Sequence, residues 1–414
     1  MRLRWGFVSE FAAVLERLPD GTVKQRHPIS GTQVWTVPGR GNRPLVPPPV
    51  AHHRLDPAAD GKHCAFCHLR YLETTPEKAR LVRLEGTPPG AREWRTLTGL
   101  TAEQLTDTIA EFRLVPNLFE IVSLDYWRAN HGYTVPSELA ARRAAYVGTL
   151  GGLSHVERLM AIKADSGGSV DSLFGGFHDV VIARRHFVED ALCDDELAGA
   201  GTLTLEEHRH YLAFTVAAMR AMYVTNPRVR NVAVFQNWLR PAGASFDHLH
   251  KQLVGLDTLG TSREREERLL AENPDAIVNS GRPLALAHDL LIAENEHAFA
   301  FAGVGHRFPS VEVWSKDADA LPWELSRAAL DGWSDLLHAC HRATGVHVPT
   351  NEEWHYRPPL SPGTAPLRAV LKWRVNTSAG FEGGTEIHVN TIDPWAVRDR
   401  VADRLSSDAG PALP

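Results

Sequence analysis

The sequence predicts an α+β protein in which one plan is used twice, each half an antiparallel sheet with helices packed against it. A strand signal at 178–182, an amphipathic helix and a strand ending in histidines recur later as a strand at 310–314, a helix and a polar strand segment around His355. At 414 residues the chain exceeds what one core usually supports. Its 43% hydrophobic content and net charge of −6 describe an ordinary globular protein and argue against polyanion binding. No Lys/Arg block interleaved with aromatics appears, so no nucleic-acid partner is expected. The absence of a signal-like apolar start or a membrane-length apolar span gives an expectation of a cytoplasmic protein without a membrane partner.

Each element has a local reason. The proline-rich Pro47-Pro48-Pro49 leads into a histidine-rich loop, His63-Cys64-Ala65-Phe66-Cys67-His68. Runs 137–146 and 154–163 read as two helices in an insertion of about 130–170, a lid or an oligomer contact. Thr204-Leu205-Glu206-Glu207 is a capping box opening a helix whose apolar face is Leu212, Val216, Met219 and Tyr223. A strand at 231–235 leads through the turn Arg240-Pro241-Ala242-Gly243 into the histidine strand, and residues 253–271 join the halves. In the second half Pro322 is expected to start a helix with Leu330, Trp333, Leu337 and Cys340 on one face. Asp393-Pro394 opens a final helix with an aspartate cap, and 406–414 reads as a frayed tail. The expected division is a catalytic domain at 1–260, a second domain at 261–405 and the tail.

Two clusters carry chemistry. On an extended strand His248, His250 and Gln252 leave one face of the sheet, and the Gly243 turn before them would let backbone N–H groups of Gly243 and Ala244 approach an anion, with Ser245 adding a hydroxyl. The alternative is a pair of core or structural histidines. Lys251 either neutralises a substrate phosphate or is a solvated strand-edge charge. Four cysteines are too few for a disulfide framework, so Cys64 and Cys67 form a metal clip or a redox pair. Their loop setting, away from a strand-to-helix junction, favours metal. Cys193 and Cys340 read as ordinary buried thiols.

The stretch Phe235-Gln236-Asn237 through Ser245-Phe246-Asp247-His248-Leu249-His250-Lys251-Gln252 resembles the signature of the galactose-1-phosphate uridylyltransferases, a branch of the histidine triad superfamily. Further blocks follow in the family's order. Gln25-Arg26-His27-Pro28-Ile29-Ser30-Gly31 with Val37-Pro38-Gly39-Arg40-Gly41-Asn42-Arg43-Pro44 is similar to its amino-terminal signature, and Cys64-Ala65-Phe66-Cys67 with Thr75-Pro76-Glu77 to its zinc loop. Arg113-Leu114-Val115-Pro116-Asn117-Leu118-Phe119 resembles its base-binding strand, and Phe177-His178-Asp179-Val180-Val181-Ile182 through His186 the strand supplying a zinc histidine. Near the end, Glu353-Trp354-His355-Tyr356-Arg357-Pro358-Pro359 and Ala379-Gly380-Phe381-Glu382-Gly383-Gly384 resemble the sugar-phosphate side. The chain departs from the pattern at Asp247, Leu249 and Lys251.

The resemblance implies two tandem histidine-triad-like domains and a nucleotidyltransferase acting on nucleotide sugars and sugar 1-phosphates. His250 would be the nucleophile of a ping-pong mechanism through a nucleotidyl-histidine, with the His248 carbonyl fixing its tautomer and Ser245 and Gln252 donating to phosphate. The alternatives are a nucleotide-sugar phosphorylase or hydrolase with the same covalent histidine, and a zinc-stabilised binding protein that has lost turnover. A structural zinc would be held by Cys64, Cys67, His186 and His248. A second divalent metal, which the family sometimes carries, would draw on Glu266, His347 and His355. Asn117 and Asn237 would read base or phosphate, or else cap turns. Arg40 and Arg43 would clamp the sugar phosphate, or else be solvated loop arginines. Lys372, Phe381 and Glu382 fall on the sugar-phosphate side. The implied partners are a nucleotide sugar, a sugar phosphate or phosphate, and a second copy of the chain in a homodimer with shared active sites.

Overall fold

The computed structural model describes residues 14–40, 52–85, 92–164 and 167–407. The first strands are Leu15–Arg17 (β1), Val23–Arg26 (β2) and Gln33–Thr36 (β3), followed by Ala79–Glu85 (β4), Arg92–Thr98 (β5), Ala110–Pro116 (β6), His178–Ala183 (β7), Asn231–Trp238 (β8) and His250–Leu256 (β9). The second half supplies Leu291–Glu294 (β10), Ala298–Ala302 (β11), Ser310–Ser315 (β12), Thr350–His355 (β13), Arg368–Trp373 (β14) and Ile387–Asn390 (β15). Eleven of these strands form one sheet, ordered β10-β11-β12-β14-β13-β8-β9-β7-β6-β4-β5, with every neighbouring pair antiparallel. The α+β class with antiparallel sheets is therefore as the sequence predicts. The two halves are fused edge to edge through β8 and β13, so the repeated plan yields one continuous sheet. A second sheet, β1-β2-β3-β15, ties the amino-terminal arm to the carboxy-terminal end.

The two long helices pack on one face of the large sheet, and His250 and Gln252 lie on the other beside the apolar cluster of Val115, Val180 and Ile182. Helix Leu205–Thr225 starts at the expected capping box: Thr204 Oγ1 accepts from the Glu207 N–H at 3.2 Å, and Glu207 Oε2 accepts from the Thr204 N–H at 2.8 Å. Leu212, Val216 and Met219 are buried, and Tyr223 is half-buried with its hydroxyl 2.7 Å from that of Tyr356. The second long helix runs Arg327–Thr344. It begins five residues after Pro322, because the Ser326 hydroxyl accepts from the Ala329 N–H at 3.1 Å and supplies the cap, while the Glu324 N–H closes a turn on the Leu321 carbonyl. Leu330, Trp333, Leu337 and Cys340 are buried as expected, whereas Cys193 is only half-buried.

The insertion holds the two expected helices, Ser137–Val147 and Leu150–Lys163, and is preceded by a further helix, Leu124–His131, that was not foreseen. Its last helix starts four residues earlier than expected, where the Thr149 hydroxyl accepts from the Gly152 N–H at 3.1 Å. Asp393 caps the final helix, Pro394–Ser406, by accepting from the Ala396 N–H at 2.8 Å.

Candidate active site

Strand period places His250 and Gln252 on the face opposite the helices. Register extends that face across the fusion. Phe235 of β8 pairs with Gln252 and with Glu353 of β13, and Asn237 pairs with Asn351, which pairs with Lys372 of β14. A cavity of about 620 Å³ lined by Phe235, Asn237, Asn351, Glu353, His355 and Arg374 opens on this face beside β9.

His250 is held by its own strand. Its Nδ1 donates to the His248 carbonyl at 2.7 Å, so the proton sits on Nδ1 and Nε2 keeps a free lone pair. Burial, helped by the neighbouring His248 and Lys251, pushes the ring down to about 4 against the pull of that carbonyl, which leaves the imidazole neutral and nucleophilic at pH 7. The Phe66 ring stands edge-on to it at 5.1 Å.

Gln252 is fixed by a residue whose role was not foreseen. His178 Nε2 lies 2.9 Å from Gln252 Oε1, and its Nδ1 accepts from the Ile121 N–H at 3.0 Å. Asn117 is beside the same ring, with its amide nitrogen 3.1 Å from Nε2 and its oxygen accepting from the Phe119 N–H at 2.9 Å. On the other flank the Asn351 amide donates to Asn237 Oδ1 at 2.8 Å, while Arg374 donates to Asn351 Oδ1 at 2.7 Å.

The glycine turn is built differently from expectation. Gly243 has φ 89°, where glycine is favoured, and Leu239 before it has φ 66°, a conformation that costs a non-glycine residue on the order of 1–3 kcal/mol. The Gly243 N–H donates to the Arg240 carbonyl at 2.9 Å and the Ala244 N–H to the Leu239 carbonyl at 3.3 Å, so both are used inside the turn. Ser245 is exposed at its tip.

Lys251 is neither a phosphate ligand nor a solvated edge charge. It points to the helix face, fully buried, where its ammonium pairs with Glu352 and lies over the Tyr211 and Trp354 rings at 5.3 and 5.2 Å. Glu352 also accepts from His341 Nε2 at 2.7 Å.

Cys64, Cys67, His186 and His248 converge, all ligand atoms lying within 4.8 Å of one another. The two sulfurs are 3.8 Å apart, and His248 Nδ1 is 3.4 Å from Cys64 Sγ and 3.8 Å from Cys67 Sγ. A tetrahedral ion with metal–sulfur bonds of ~2.3 Å has edges of about 3.8 Å, so the donor set fits a closed four-coordinate metal. His248 Nε2 donates to the Ala183 carbonyl at 2.7 Å, leaving Nδ1 to face the sulfurs.

The remaining candidates are scattered. Glu266 is paired with Arg263 and Arg368, and His355 lies 3.8 Å from Glu353. His347 sits in the turn after helix Arg327–Thr344, and these three are not among the groups whose ligand atoms converge in the described residues. A different trio, His27, His306 and Glu312, does converge. However, His27 Nδ1 accepts from the Ile29 and Ser30 N–H groups at 3.2 and 2.9 Å, so Nε2 bears the proton and has no lone pair for a metal. Lys372 Nζ is 2.6 Å from Glu353. Glu382, on the short helix Gly380–Thr385 with half-exposed Phe381, lines a separate cavity of about 540 Å³ with Ser30, Arg265 and Arg307. Arg40 is exposed, and Arg43 lies outside the described residues. No described helix is long and apolar enough to cross a membrane.

Residues 18–410 match a protein family described as "Domain of unknown function (DUF4921)". No curated protein matches the chain in sequence. Among solved structures, an ADP-glucose phosphorylase from Arabidopsis thaliana with bound ADP-glucose is similar at 16% identity and a TM-score of 0.59, over 92% of this chain and 98% of that one. A GalT-like protein from Arabidopsis thaliana is similar at 16% identity and a TM-score of 0.58 over the same shares. These likenesses place the fold along essentially the whole chain.

Proposed function

The chain belongs to the DUF4921 family, and from its site we propose that it is a nucleotidyltransferase working on nucleotide sugars through a covalent histidine. The observation that carries this is His250: neutral, tautomer locked by the His248 carbonyl, and free at Nε2. In the first step Nε2 attacks the α-phosphorus, the bond to the bridging oxygen breaks, and sugar 1-phosphate leaves with the electron pair. In the second, an oxygen of the acceptor phosphate attacks the same phosphorus and the P–N bond breaks. One site used in turn gives ping-pong kinetics. The Gln252 amide and the Ser245 hydroxyl would donate to the non-bridging oxygens, where a preorganised donor is worth on the order of 2.7–4 kcal/mol. An amide at the third triad position donates hydrogen bonds but cannot cycle a proton, which supports transfer over hydrolysis.

Zinc is the metal that suits two thiolates and two imidazoles. Held by Cys64, Cys67, His186 and His248, it would brace the 64–67 loop, and with it Phe66, against β9, a structural task. A homodimer with shared sites accords with Glu382 lining a cavity apart from His250, with Arg40 near enough to help the Ala379 N–H lower the Glu382 carboxyl.

A second reading, with inorganic phosphate as acceptor, is favoured by the full-length likeness to a structure described as an ADP-glucose phosphorylase. One experiment tests both. A nucleotide sugar labelled at the α-phosphate should leave label on the protein when no acceptor is present, and sugar 1-phosphate or phosphate should then discharge it. Whichever acceptor discharges faster identifies the reaction, and the absence of trapped label with every donor of a broad panel sinks the covalent mechanism.

A further inference from the structure

We infer that His178 is a positioning residue that sets which end of the Gln252 amide faces the reacting phosphate, and that it does so under control of the 117–121 loop. The inference rests on the nucleotidyl-transfer reading above.

A neutral imidazole carries one proton, on one nitrogen. The Ile121 N–H points at Nδ1 from 3.0 Å, so Nδ1 must be the acceptor and Nε2 the donor. That donor meets Gln252 Oε1 at 2.9 Å. The oxygen end of the amide is thus turned to the ring, and the N–H2 end is left for whatever lies on the His250 face. Asn117 competes for the same nitrogen: its oxygen accepts from the Phe119 N–H at 2.9 Å and its amide nitrogen lies 3.1 Å from Nε2, so only one of the two amides can bond the ring there.

The loop that fixes the ring has the character of a ligand platform. Phe119 and Ile121 are each 68% exposed beside the Asn117 amide, a combination suited to a flat group with apolar faces and a polar edge, as a nucleobase is. While the loop is docked, the Ile121 N–H holds the proton on Nε2. If it lifts, the proton can move to Nδ1, Nε2 becomes an acceptor, and Gln252 gains a bond by turning its N–H2 to the ring. Its carbonyl oxygen would then face the phosphate, replacing attraction with repulsion. Contact at the nucleoside end is in this way converted into rate at phosphorus, the form of specificity that raises kcat.

Two measurements test this. In protein labelled with ¹⁵N-histidine, with the His178→Gln difference spectrum giving the assignment, His178 should be the Nε2–H tautomer at pH 7. An Nδ1–H tautomer or an imidazolium overturns the inference. In single-turnover labelling of His250 at saturating donor, His178→Phe should slow transfer about 10²-fold with zinc content unchanged, as loss of one preorganised donor does. His178→Phe combined with Gln252→Leu should be no slower than Gln252→Leu alone, because both act through the same amide; effects that multiply overturn the inference. If the wild type takes up no label from any donor, the reading of function falls, and the tautomer alone decides for or against the placement of His178.

Discussion

Replacing Glu352 with leucine should be among the most damaging single changes outside the reacting groups. Lys251 is 0% and Glu352 1% exposed at the side chain, and both lie in the middle of the fused sheet, Lys251 on the nucleophile's strand and Glu352 on β13. Removing the carboxylate leaves a buried ammonium whose remaining neighbours are the faces of Tyr211 and Trp354, and it orphans His341 Nε2 and Trp354 Nε1 as well. Breaking a buried pair in this manner costs about 3–5 kcal/mol. If the continuous sheet makes the 414 residues one cooperative unit, an unfolding entropy of about 2.1 cal/mol/K per residue converts that cost to a fall in Tm of about 3–6 °C. Lys251→Met should cost less, since Glu352 keeps its bond from His341. The double variant Lys251→Met, Glu352→Leu should be less destabilised than Glu352→Leu alone, because no charge is then stranded. Calorimetry and urea titration on the four proteins of the cycle measure this directly. A loss below about 1 kcal/mol for Glu352→Leu, or additive effects in the double variant, would refute the reasoning that the pair is buried and coupled.

Cys64→Ser should lower zinc content and thermal stability together, and full zinc in the Cys64→Ser, Cys67→Ser protein, read by elemental analysis, would falsify the metal assignment. His250→Asn should fold, keep zinc and take up no label, while Ser245→Ala labels slowly; the bond formed in the wild type should be acid-labile and alkali-stable, as a phosphoramidate is and a serine ester is not. Acid should destabilise the second half in a defined window. Burial raises Glu266 and Glu312, but Arg368 and Arg263 hold the first at about 2 and His306 the second at about 2. Against an unfolded value near 4.3, the unfolded chain binds more protons between the two, so stability is full above about pH 4.5 and falls as pH drops toward 2, by up to about 3 kcal/mol for each group; a flat midpoint from pH 5 to 3 in urea titrations would contradict it. Sedimentation should give a dimer, and a strict monomer active at nanomolar concentration would exclude shared sites.

What the sequence makes legible here is local. Cys64 and Cys67 are read from spacing, the common face of His250 and Gln252 from a period of two, and the caps at Thr204 and Asp393 from side chains bonding three residues on. What escapes is set by register. Asn351 reaches Asn237 only because β13 pairs with β8, across more than 100 residues of chain, and Arg374 reaches Asn351 because β14 pairs with β13. His178 meets Gln252 because β7 lies beside β9, although Val180 is the paired residue. The period of two does say that Lys251 points away from His250; it does not say that two long helices cover that other side. Pro322 misleads for a related reason, since a proline suited to a first helical turn also suits the turn that Leu321 and Glu324 close ahead of the Ser326 cap.

The parallel pairing of β3 with β15 sets Thr36 against Asn390. Ribosomes deliver these residues in order, so the first three strands must wait, one edge bare, while the 350 residues between Thr36 and Ile387 are made before their last partner emerges. Parallel strands this distant in sequence close late and slowly. A nascent chain stalled before residue 387 would therefore display an unpaired edge open to a neighbour on the same polysome, and a chaperone that shields short exposed strands would be expected to raise the yield of full-length protein more than any stabilising change in the core.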